Sequence, residues 1–400
     1  MTDRSGAWKQ AIGRLRNSLS AAVRGRSHRH RLEDIDTQIV VSGTRGKSST
    51  TRRLYDVLDA RGYDVGAKIT GDRPIFLHDG ATHEIERGSR VTLYENEREV
   101  RKHTPEDALV IENQAISDYT TRVVNQYFTD PDVVLLTNIR QDHRDTLGGD
   151  RQAIARSLVR AIPKGTHVIN GEQDPALREY IEEEVRKREA TVTHVEVPAE
   201  HTEIPGAESI YAMNDVLEAI GETPLSARLL EGYLEAMCVE WTAVPGGYIH
   251  NAAGVDDVES TEIVRQALTG ERFRRVRPFV YLRADRRART ASFLEYLEDL
   301  AERDLLDQVH VAGAHTDLFD RKASFSVVRH DIERESAADV MDSLLEGSVS
   351  VLVMGNTVAE FMREIDAEID RRAEMVLTES EREPEDTASD RPAPTSAGEN

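Results

Sequence analysis

The sequence predicts an α/β protein in which a parallel-sheet domain is followed by a smaller Rossmann-like α/β domain. Short runs of valine, isoleucine and leucine alternate with amphipathic helical stretches, which is typical of a mostly parallel sheet covered by helices on both faces. The alternation pauses at Pro245–Gly247, a step that we interpret as a hinge, and then restarts. Four hundred residues also exceed the usual span of one hydrophobic core, so two domains are expected.

The first thirty-three residues form a segment of their own. Residues 1–33 are strongly basic, and Trp8, Ile12, Leu15, Leu19 and Val23 fall at helical spacing on one face. A basic amphipathic helix lies on an anionic membrane surface, docks a partner helix or packs on its own domain. All three interpretations remain open at this point.

The first domain is predicted to span residues 34–240. Its predicted strands are Gln38–Ser42, Asp64–Ile69, Ala108–Glu112, Asp132–Thr137, His167–Asn170 and Thr191–Val195. Its predicted helices cover 47–61, 118–127, 151–161, 174–188 and 212–220. Residues 71–104 are polar and show no period, so they are expected to form an irregular surface excursion.

The second domain is predicted to span residues 245–375. Its strands are expected at Tyr248–Ala252, Phe279–Leu282, Gln308–Val311 and Ser350–Met354. Its helices are expected at 258–268, 291–303, 336–345 and 357–372. Residues 378–400 contain no leucine, isoleucine, valine or aromatic residue, so this acidic tail is expected to be disordered.

Composition restricts the partners and the compartment. The formal net charge is −22, and only seven residues are lysine, a bias typical of proteins adapted to high salt, although an ordinary acidic protein fits it too. Such a charge argues against a nucleic-acid partner. Cys238 is the only cysteine, which excludes an intrachain disulfide and indicates a reducing interior. We therefore expect a cytoplasmic protein, with peripheral contact at the inner face of the membrane through the N-terminal helix as one alternative.

The turn Gly43–Ser48, "GTRGKS", lies between a predicted strand and a predicted helix. Gly43 and Gly46 permit a tight curl, and the N–H groups at the start of the helix attract an anion. Lys47 is the type of residue that reaches the β- and γ-phosphates, and a hydroxyl such as that of Ser48 ligates Mg²⁺. The turn is shorter than the usual phosphate-binding signature, because Val41 stands where its first glycine would be. We still interpret it as a P-loop that holds a nucleoside triphosphate.

Two further strands end in groups that bind metals. One predicted strand ends at Glu112, and another ends near Asn138, shortly before Asp142 and His143. Ligands of open parallel sheets gather at the carboxyl ends of the strands. Glu112 and His143 could therefore hold a cation beside the phosphates, and the histidine would favour tolerance of Mn²⁺ as well as Mg²⁺.

Several motifs in the same order resemble a known family. "SGTRGKSSTTR", "VIENQAI", "TNIRQDHRDTLG", "NGEQDP" and "AMNDVLEAIG" together resemble the ATPase domain of the Mur ligase superfamily. "GYDVGAKITG", "IHNAAGVDDVEST", "YLRADRRARTASF" and "VMGNT" make the chain most similar to the ligase subunit of poly-γ-glutamate synthases. Most Mur ligases have a lysine in the segment that corresponds to "GGDRQAIARSLVRAI", whereas this segment contains none. Residues 1–42 are also too few for the uridine-nucleotide domain of the cell-wall enzymes. That subunit usually begins with an apolar membrane segment, which residues 1–33 are not.

This resemblance implies a set of site residues. The triphosphate would be bound by Gly43, Thr44, Arg45, Gly46, Lys47, Ser48 and Ser49. Ser48, Glu112 and His143 would organise Mg²⁺ or Mn²⁺, Asn214 would face the adenine of ATP, and Asp257 would face the nucleotide from the second domain. Arg283, Asp285 and Arg286 would lie near the reacting carboxylate, with Lys47 beside the transferred phosphate. A solvated loop with internal Asp285 pairs remains the alternative for the arginine cluster.

The resemblance also implies an activity. It predicts an ATP-dependent carboxylate–amine ligase that joins glutamate into a γ-linked chain through an acyl phosphate. The implied partners are glutamate or the growing poly-γ-glutamate chain, a small membrane subunit of the synthase and further copies of this chain. Two alternatives are a related ligase that adds an amino acid to a folate-like or cofactor acceptor, and a regulatory P-loop NTPase that makes no bond.

Overall fold

A computed structural model describes residues 25–71, 73–87, 92–114, 117–140, 150–255, 257–269, 275–347, 349–355 and 357–382. The chain divides into two compact units, the first ending at Cys238 and the second beginning at Val239. Each unit contains its own sheet and its own hydrophobic core.

The first unit is built on an eight-stranded sheet. Its strands are β1 (Thr37–Ser42), β2 (Val65–Ile69), β3 (Ile75–His78), β4 (Ala81–Glu84), β5 (Ala108–Glu112), β6 (Val133–Leu136), β7 (His167–Asn170) and β8 (Thr191–His194), in the order β4-β3-β2-β5-β1-β6-β7-β8. All neighbours are parallel except the β2–β3 and β3–β4 pairs. Because β1 pairs with β5 on one side and β6 on the other, the ends of these three strands meet at one edge.

Helices cover both faces of this sheet. They are α1, described over residues 25–33, then α2 (Lys47–Ala60), α3 (Tyr94–His103), α4 (Asp118–Val123), α5 (Arg151–Arg160), α6 (Pro175–Arg186), α7 (Ala207–Ala219) and α8 (Ala227–Glu235); a π-helical turn, Val124–Phe128, extends α4. Along β1, Ile39 and Val41 join one core while Val40 joins the core on the other face. This alternation follows from the two-residue period of a strand buried on both sides.

The second unit contains a six-stranded sheet. Its strands are β9 (Thr242–Val244), β10 (Gly247–Asn251), β11 (Arg277–Leu282), β12 (Val309–Gly313), β13 (Val327–Arg329) and β14 (Ser350–Met354), in the order β13-β12-β11-β14-β10-β9. Only the β9–β10 pair is antiparallel. The helices are α9 (Val258–Leu268), α10 (Arg287–Glu302), α11 (Thr316–Lys322), α12 (Ala337–Leu344) and α13 (Glu360–Arg382).

The interpretation of Pro245–Gly247 as a hinge is wrong. Pro245 and Gly246 form the tight turn of the β9–β10 hairpin, and Gly246 has a φ of +95°, which glycine adopts without strain. The step therefore lies inside the second sheet, and the two units divide before it, between Cys238 and Val239.

Two other expectations differ from the structure. Residues 71–104 are not irregular, since they contain β3, β4 and α3. The acidic tail does not begin at residue 378, because α13 continues to Arg382; the expectation of disorder for 383–400 lies outside the described residues.

The structure describes the N-terminal segment from residue 25 onward. In α1, His28 and Leu32 are buried, and His28 Nε2 lies 3.1 Å from the carbonyl oxygen of Phe128. These residues therefore pack on their own domain, whereas the stripe Trp8–Val23 lies outside the described residues. Within the described ranges, no helix has the length and apolar character needed to cross a bilayer.

Candidate nucleotide and metal site

The glycine turn joins the end of β1 to the start of α2, as expected. Gly43 has a φ of +115° and Gly46 a φ of +80°. A Cβ on Gly43 would lie 2.3 Å from Thr137 Oγ1, so this position has no room for a side chain. The turn thereby brings the chain tightly against the end of β6 and places the N-terminus of α2 at the carboxyl edge of the sheet.

Asn138 holds the first half of the turn in place. Thr44 N donates to the carbonyl oxygen of Asn138 at 3.0 Å, and Arg45 N donates to its Oδ1 at 3.0 Å. These two N–H groups therefore stabilise the turn itself. In this conformation the backbone N–H groups of Thr44 and Arg45 are not available to donate to a phosphate. The first-turn N–H groups of α2, which include those of Lys47, Ser48 and Ser49, have no acceptor within the helix and suit an anion.

Lys47 is folded over the turn that precedes it. Its Nζ donates to the carbonyl oxygen of Gly43 at 2.9 Å and to that of Thr44 at 3.0 Å. The ammonium group is thus kept at the mouth of the turn. It can exchange neutral carbonyl acceptors for phosphate oxygens, with which the hydrogen bonds are charge-assisted and stronger.

Ser48 and Glu112 meet as the sequence predicted. Ser48 Oγ donates to Glu112 Oε1 at 2.9 Å, and Thr70 N donates to Glu112 Oε2 at 2.7 Å. The Glu112 carboxylate is buried at the end of β5, directly beside β1. A hydroxyl and a carboxylate are the hard oxygen donors that Mg²⁺ and Mn²⁺ take, so this pair fits such an ion. The third predicted ligand, His143, and its neighbour Asp142 lie outside the described residues.

Sequence reasoning missed a carboxylate that organises the end of β6. Glu172 is buried and accepts hydrogen bonds from Ile139 N at 2.9 Å and Arg151 Nη2 at 2.8 Å. It therefore fixes the point at which the chain leaves β6 toward the segment that contains His143. The motif "NGEQDP" contained this residue, but nothing in the motif itself distinguishes Glu172 as a hydrogen-bond centre.

An ion pair between Arg140 and Glu208 contacts the side chain of Asn138. Arg140 Nη2 is 3.2 Å from Glu208 Oε1, and Asn138 Nδ2 donates to the same oxygen at 3.3 Å. Burial raises the pKa of Glu208, and the charge of Arg140 opposes that effect. The backbone N–H of Arg140 also donates to Thr44 Oγ1 at 2.8 Å, so β6 and the glycine turn are linked again at this point.

A buried lysine stands at the same sheet edge. Lys68 on β2 is fully buried, and its Nζ lies 2.9 Å from Glu95 Oε1 on α3 and also contacts Gln114. Arg87 binds the same carboxylate of Glu95 at 2.8 and 3.0 Å. Burial lowers the pKa of Lys68, and Glu95 partly restores it. Nothing in the sequence indicated this ion pair, because Lys68 lies in a strand otherwise made of small and apolar residues.

The expected adenine contact, Asn214, lies on α7. Its Oδ1 accepts a hydrogen bond from Leu225 N at 2.8 Å, so the oxygen is engaged in holding the chain between α7 and α8. A contact between Asn214 and adenine stays a prediction.

In the second unit, Asp257 is the N-cap of α9. Its buried carboxylate accepts from Ser260 N at 2.8 Å, which satisfies one of the free N–H groups at the start of the helix. Capping accounts for the type of residue at this position, and contact with the nucleotide stays a prediction.

The arginine cluster pairs internally, as its alternative interpretation expected. Arg283 binds Asp285 through two hydrogen bonds of 2.9 and 2.7 Å, and Arg286 Nε lies 3.9 Å from the same carboxylate. Arg283 and Asp285 line a cavity of about 880 Å³ at the carboxyl ends of β11, β12 and β13, together with Arg329. Arg286 lines a separate small recess beside Gly355. The sequence did not single out Arg329, since its strand has only three residues.

Two families of known domains match the chain in succession. The Mur ligase middle domain matches residues 41–216, and the poly-gamma-glutamate synthase CapB C-terminal domain matches residues 244–372. The chain is 24% identical over 172 residues to PGA synthase CapB of Bacillus subtilis, a match that covers 42% of this chain and 43% of that protein. It is 25% identical over 172 residues to the capsule biosynthesis protein CapB of Bacillus anthracis, covering 42% of this chain and 37% of the relative. The matches thus span less than half the length of these relatives.

Solved structures share the fold. Escherichia coli FolC in complex with DHPP and ADP superimposes with a TM-score of 0.60 and 19% identity, over 86% of this chain and 93% of FolC. A bifunctional folylpolyglutamate synthase/dihydrofolate synthase from Yersinia pestis, complexed with AMPPNP and a Mn ion, gives a TM-score of 0.58 and 18% identity over 89% of this chain and 93% of the other. At these identities the likeness concerns the fold.

Proposed function

Because the chain joins a Mur ligase middle domain to a CapB C-terminal domain, we propose that it is an ATP-dependent carboxylate–amine ligase that forms γ-linked poly-glutamate. The observation that carries the proposal is the Ser48–Glu112 pair, which lies at the N-terminus of α2 beside the glycine turn. The relatives named PGA synthase CapB and capsule biosynthesis protein CapB support glutamate as the substrate and a capsular or extracellular polymer as the product.

The proposed reaction has two steps. In the first, a γ-carboxylate oxygen of glutamate attacks the terminal phosphorus of ATP, the P–O bond to ADP breaks, and a γ-glutamyl phosphate forms. In the second, the α-amine of another glutamate attacks the acyl carbon, phosphate leaves, the amine loses a proton, and a γ-linked amide remains. Catalysis of the first step depends on positioning and on neutralising charge rather than on covalent chemistry by the protein.

The start of α2, Lys47 and Ser48 have distinct roles in that step. The N–H groups at the start of α2 bind the β- and γ-phosphates, and Lys47 leaves the carbonyl groups of Gly43 and Thr44 to neutralise the transferred phosphoryl group. Ser48 and Glu112 would hold Mg²⁺ or Mn²⁺, with His143 as the expected third ligand. The chemistry that such an ion would supply is positive charge that neutralises the phosphate oxygens. The Yersinia structure with AMPPNP and Mn is consistent with tolerance of Mn²⁺.

The second unit supplies the carboxylate-binding groups in this proposal. Guanidinium groups bind carboxylates through paired hydrogen bonds, and Arg283 already makes such a pair with Asp285. A glutamate carboxylate would replace Asp285 at Arg283, or would bind Arg329 in the same cavity. Arg286, Asp257 and Asn214 keep the roles predicted from the sequence as parts of this proposal.

The test is an assay of the intact protein with ATP, Mg²⁺ or Mn²⁺, and single amino acids at high salt. With glutamate, hydroxylamine should trap the acyl phosphate as glutamyl hydroxamate, and ADP should form in step with amide. Lys47→Ala should lower the rate at least about 100-fold, since it removes a charge that acts on the transferred phosphoryl group. Lys164→Ala is the matched control, because Lys164 is exposed and pairs only with the exposed Glu189 among the described residues.

The same assay separates the alternatives. If product forms only when a folate-like or cofactor acceptor is present, the protein is the related Mur-type ligase and not a poly-glutamate ligase. ATP hydrolysis at one rate with and without amino acids, and without hydroxamate, would favour the regulatory NTPase. Either result would overturn the main proposal.

The remaining expectations belong to the same proposal. We infer a cytoplasmic protein that works with a small membrane subunit and forms homo-oligomers, with contact at the inner face of the membrane through the N-terminal helix as one alternative. The halophilic interpretation of the net charge of −22 also belongs here. Co-purification of a membrane protein with the tagged chain, lost when residues 1–24 are removed, would support this arrangement, and recovery of the chain alone from membranes would contradict it.

A further inference from the structure

A basic groove lies in the first unit, outside the site described above. It has a volume of about 1370 Å³ and is formed by α1, the start of α3, and α4 with its π-helical turn. Its basic lining residues are Arg26, Arg29, Arg122, Arg160 and Arg188. The one acidic side chain in its lining, Glu97, is buried. Five arginines around a single groove are unexpected on a chain with a net charge of −22.

These arginines are available to a ligand. Arg26, Arg29, Arg122 and Arg160 are exposed, and among the described residues none of the five has a carboxylate within ion-pair distance. Arg188 is half-buried, and its Nε is a buried donor that has no hydrogen-bond partner in the described part of the chain. A buried donor of this kind costs free energy unless an acceptor reaches it, and an anionic oxygen would satisfy it.

Exposed tyrosines stand among the arginines. Tyr94, Tyr119 and Tyr127 are 60%, 66% and 63% exposed. Tyrosine combines an apolar ring with a hydroxyl donor and is enriched where a protein binds a partner, so three exposed rings beside five guanidinium groups indicate a binding surface.

The part of the groove that Arg160 and Arg188 line lies away from the glycine turn. Phe128, Arg160 and Arg188 line this part, and each lies at or just after the end of the helix that precedes β6, β7 or β8. Because these strands are parallel, the three residues lie at the amino edge of the sheet. The glycine turn lies at the opposite, carboxyl edge, one strand length away.

We propose that this groove binds the poly-γ-glutamate strand that the enzyme makes, a proposal that rests on the proposed function. Every residue of that polymer carries a free α-carboxylate, and a guanidinium group binds a carboxylate with two parallel hydrogen bonds. The methylene groups of the polymer would pack on the tyrosine rings. The groove thus matches the polymer in charge and in its mixture of polar and apolar contacts.

Two other occupants fit less well. The segment 1–24 precedes the groove directly, but it is itself basic and would be repelled. An anionic membrane is flat, whereas these residues line a concave space suited to a strand. Retention of the polymer at a second site keeps its growing end at high local concentration, so the groove would favour long products.

The experiment compares two triple variants of the full chain. Arg122→Gln, Arg160→Gln and Arg188→Gln remove charge from the groove. Arg228→Gln, Arg303→Gln and Arg321→Gln remove the same charge from exposed positions elsewhere. The probes are a fluorescent poly-γ-glutamate oligomer, followed by anisotropy, and vesicles that contain phosphatidylglycerol.

The groove variant should bind the oligomer at least about 10-fold more weakly than wild type and the control variant, with a weaker salt dependence, because fewer charges are neutralised. Equal affinity of both variants would overturn the proposal. The proposal would also be overturned if the groove variant bound the oligomer as wild type does but no longer bound the vesicles. That result would identify the groove as a membrane-binding surface.

A second readout separates this proposal from the proposed function. In the assay with free glutamate, the groove variant should keep the initial rate of ADP formation and should make shorter products than the control variant. If wild type forms no glutamyl hydroxamate, the proposed function fails whatever the groove binds. If wild type forms it and both variants make products of equal length, only the groove proposal fails.

Discussion

Gly43 cannot be replaced by a residue with a side chain without strain, because of its backbone conformation and its close neighbours. Gly43→Ala would place a Cβ 2.3 Å from Thr137 Oγ1 and 2.9 Å from Thr137 N, at a φ of +115°. Backbone strain and overpacking together should lower the free energy of unfolding by about 3 kcal/mol, measured by urea denaturation, and nucleotide binding should be lost. Gly62→Ala is the control, since φ is +88° there but nothing lies within 4 Å, so only about 1 kcal/mol is expected. Equal losses in the two variants would mean that the clash with Thr137 is unimportant.

Asp215 on α7 should make stability depend on pH. Burial, with the charges of Glu218 and Glu196, raises the pKa of Asp215 to about 6 from a usual 3.8. The protonated form is therefore favoured in the folded state, and its contribution to stability is complete below pH 3.8 and lost as the pH rises through 6. Asp215→Asn, which stays neutral, should raise the free energy of unfolding by about 1 kcal/mol at pH 8 and by much less at pH 4.5, after allowance for solvent screening. Glu203→Gln, an exposed control, should give no such difference, and a gain for Asp215→Asn that is equal at both pH values would contradict the assignment.

The site shows which contacts a sequence can predict. The contact between Ser48 and Glu112 agrees with the sequence analysis, because both lie near the carboxyl ends of strands, which a parallel sheet gathers at one edge. Asn138 and Glu172 could not be assigned their roles from the sequence. Each acts through hydrogen bonds to residues that are distant in sequence or have no distinctive type, such as Arg45 N and Ile139 N.

At the scale of elements, the Lys68–Glu95 pair joins β2 to α3 in the interior. Glu95→Gln would leave Lys68 buried without its carboxylate, and should cost about 3 to 5 kcal/mol of unfolding free energy in urea. Adding Lys68→Met removes the buried charge and should recover most of that loss, so the double variant should be more stable than Glu95→Gln alone. Glu189→Gln, which breaks an exposed pair with Lys164, should cost less than about 1 kcal/mol. Additive losses in the double variant would indicate that the two side chains do not interact.

Elements were predictable where burial produces a clear period. The predicted bounds of β5, β7, β14 and α9 agree with the structure, since apolar runs or helical spacing end there in polar residues. The hairpin of β3 and β4 was missed, because β4 is mostly exposed and its sequence, "ATHE", has no apolar alternation. Helix α3 was missed for another reason: it buries Glu95, Asn96, Glu97 and Glu99, and only contacts elsewhere in the fold make such burial favourable.

At the scale of the whole molecule, charge is unevenly distributed. The chain carries a net charge of −22, yet five arginines surround one groove in the first unit. A large net charge destabilises the compact state through self-repulsion, while a local patch of the opposite sign attracts a polyanion. Salt screens both effects, so it should stabilise the fold and weaken the groove at the same time.

This opposition gives a prediction for the intact protein. Raising NaCl from about 0.1 M to about 1 M shortens the screening length from about 10 Å to about 3 Å, so the thermal unfolding midpoint should rise while the affinity for a poly-γ-glutamate oligomer falls. A variant with Glu203→Gln, Glu231→Gln, Glu235→Gln and Asp370→Asn loses four exposed negative charges, and its midpoint should respond less to salt. Its oligomer affinity should still fall as in wild type, because the five groove arginines are unchanged. A midpoint that rises equally in both proteins, or in sucrose at the same osmolality, would show that the effect comes from solvent exclusion and not from repulsion between the acidic side chains.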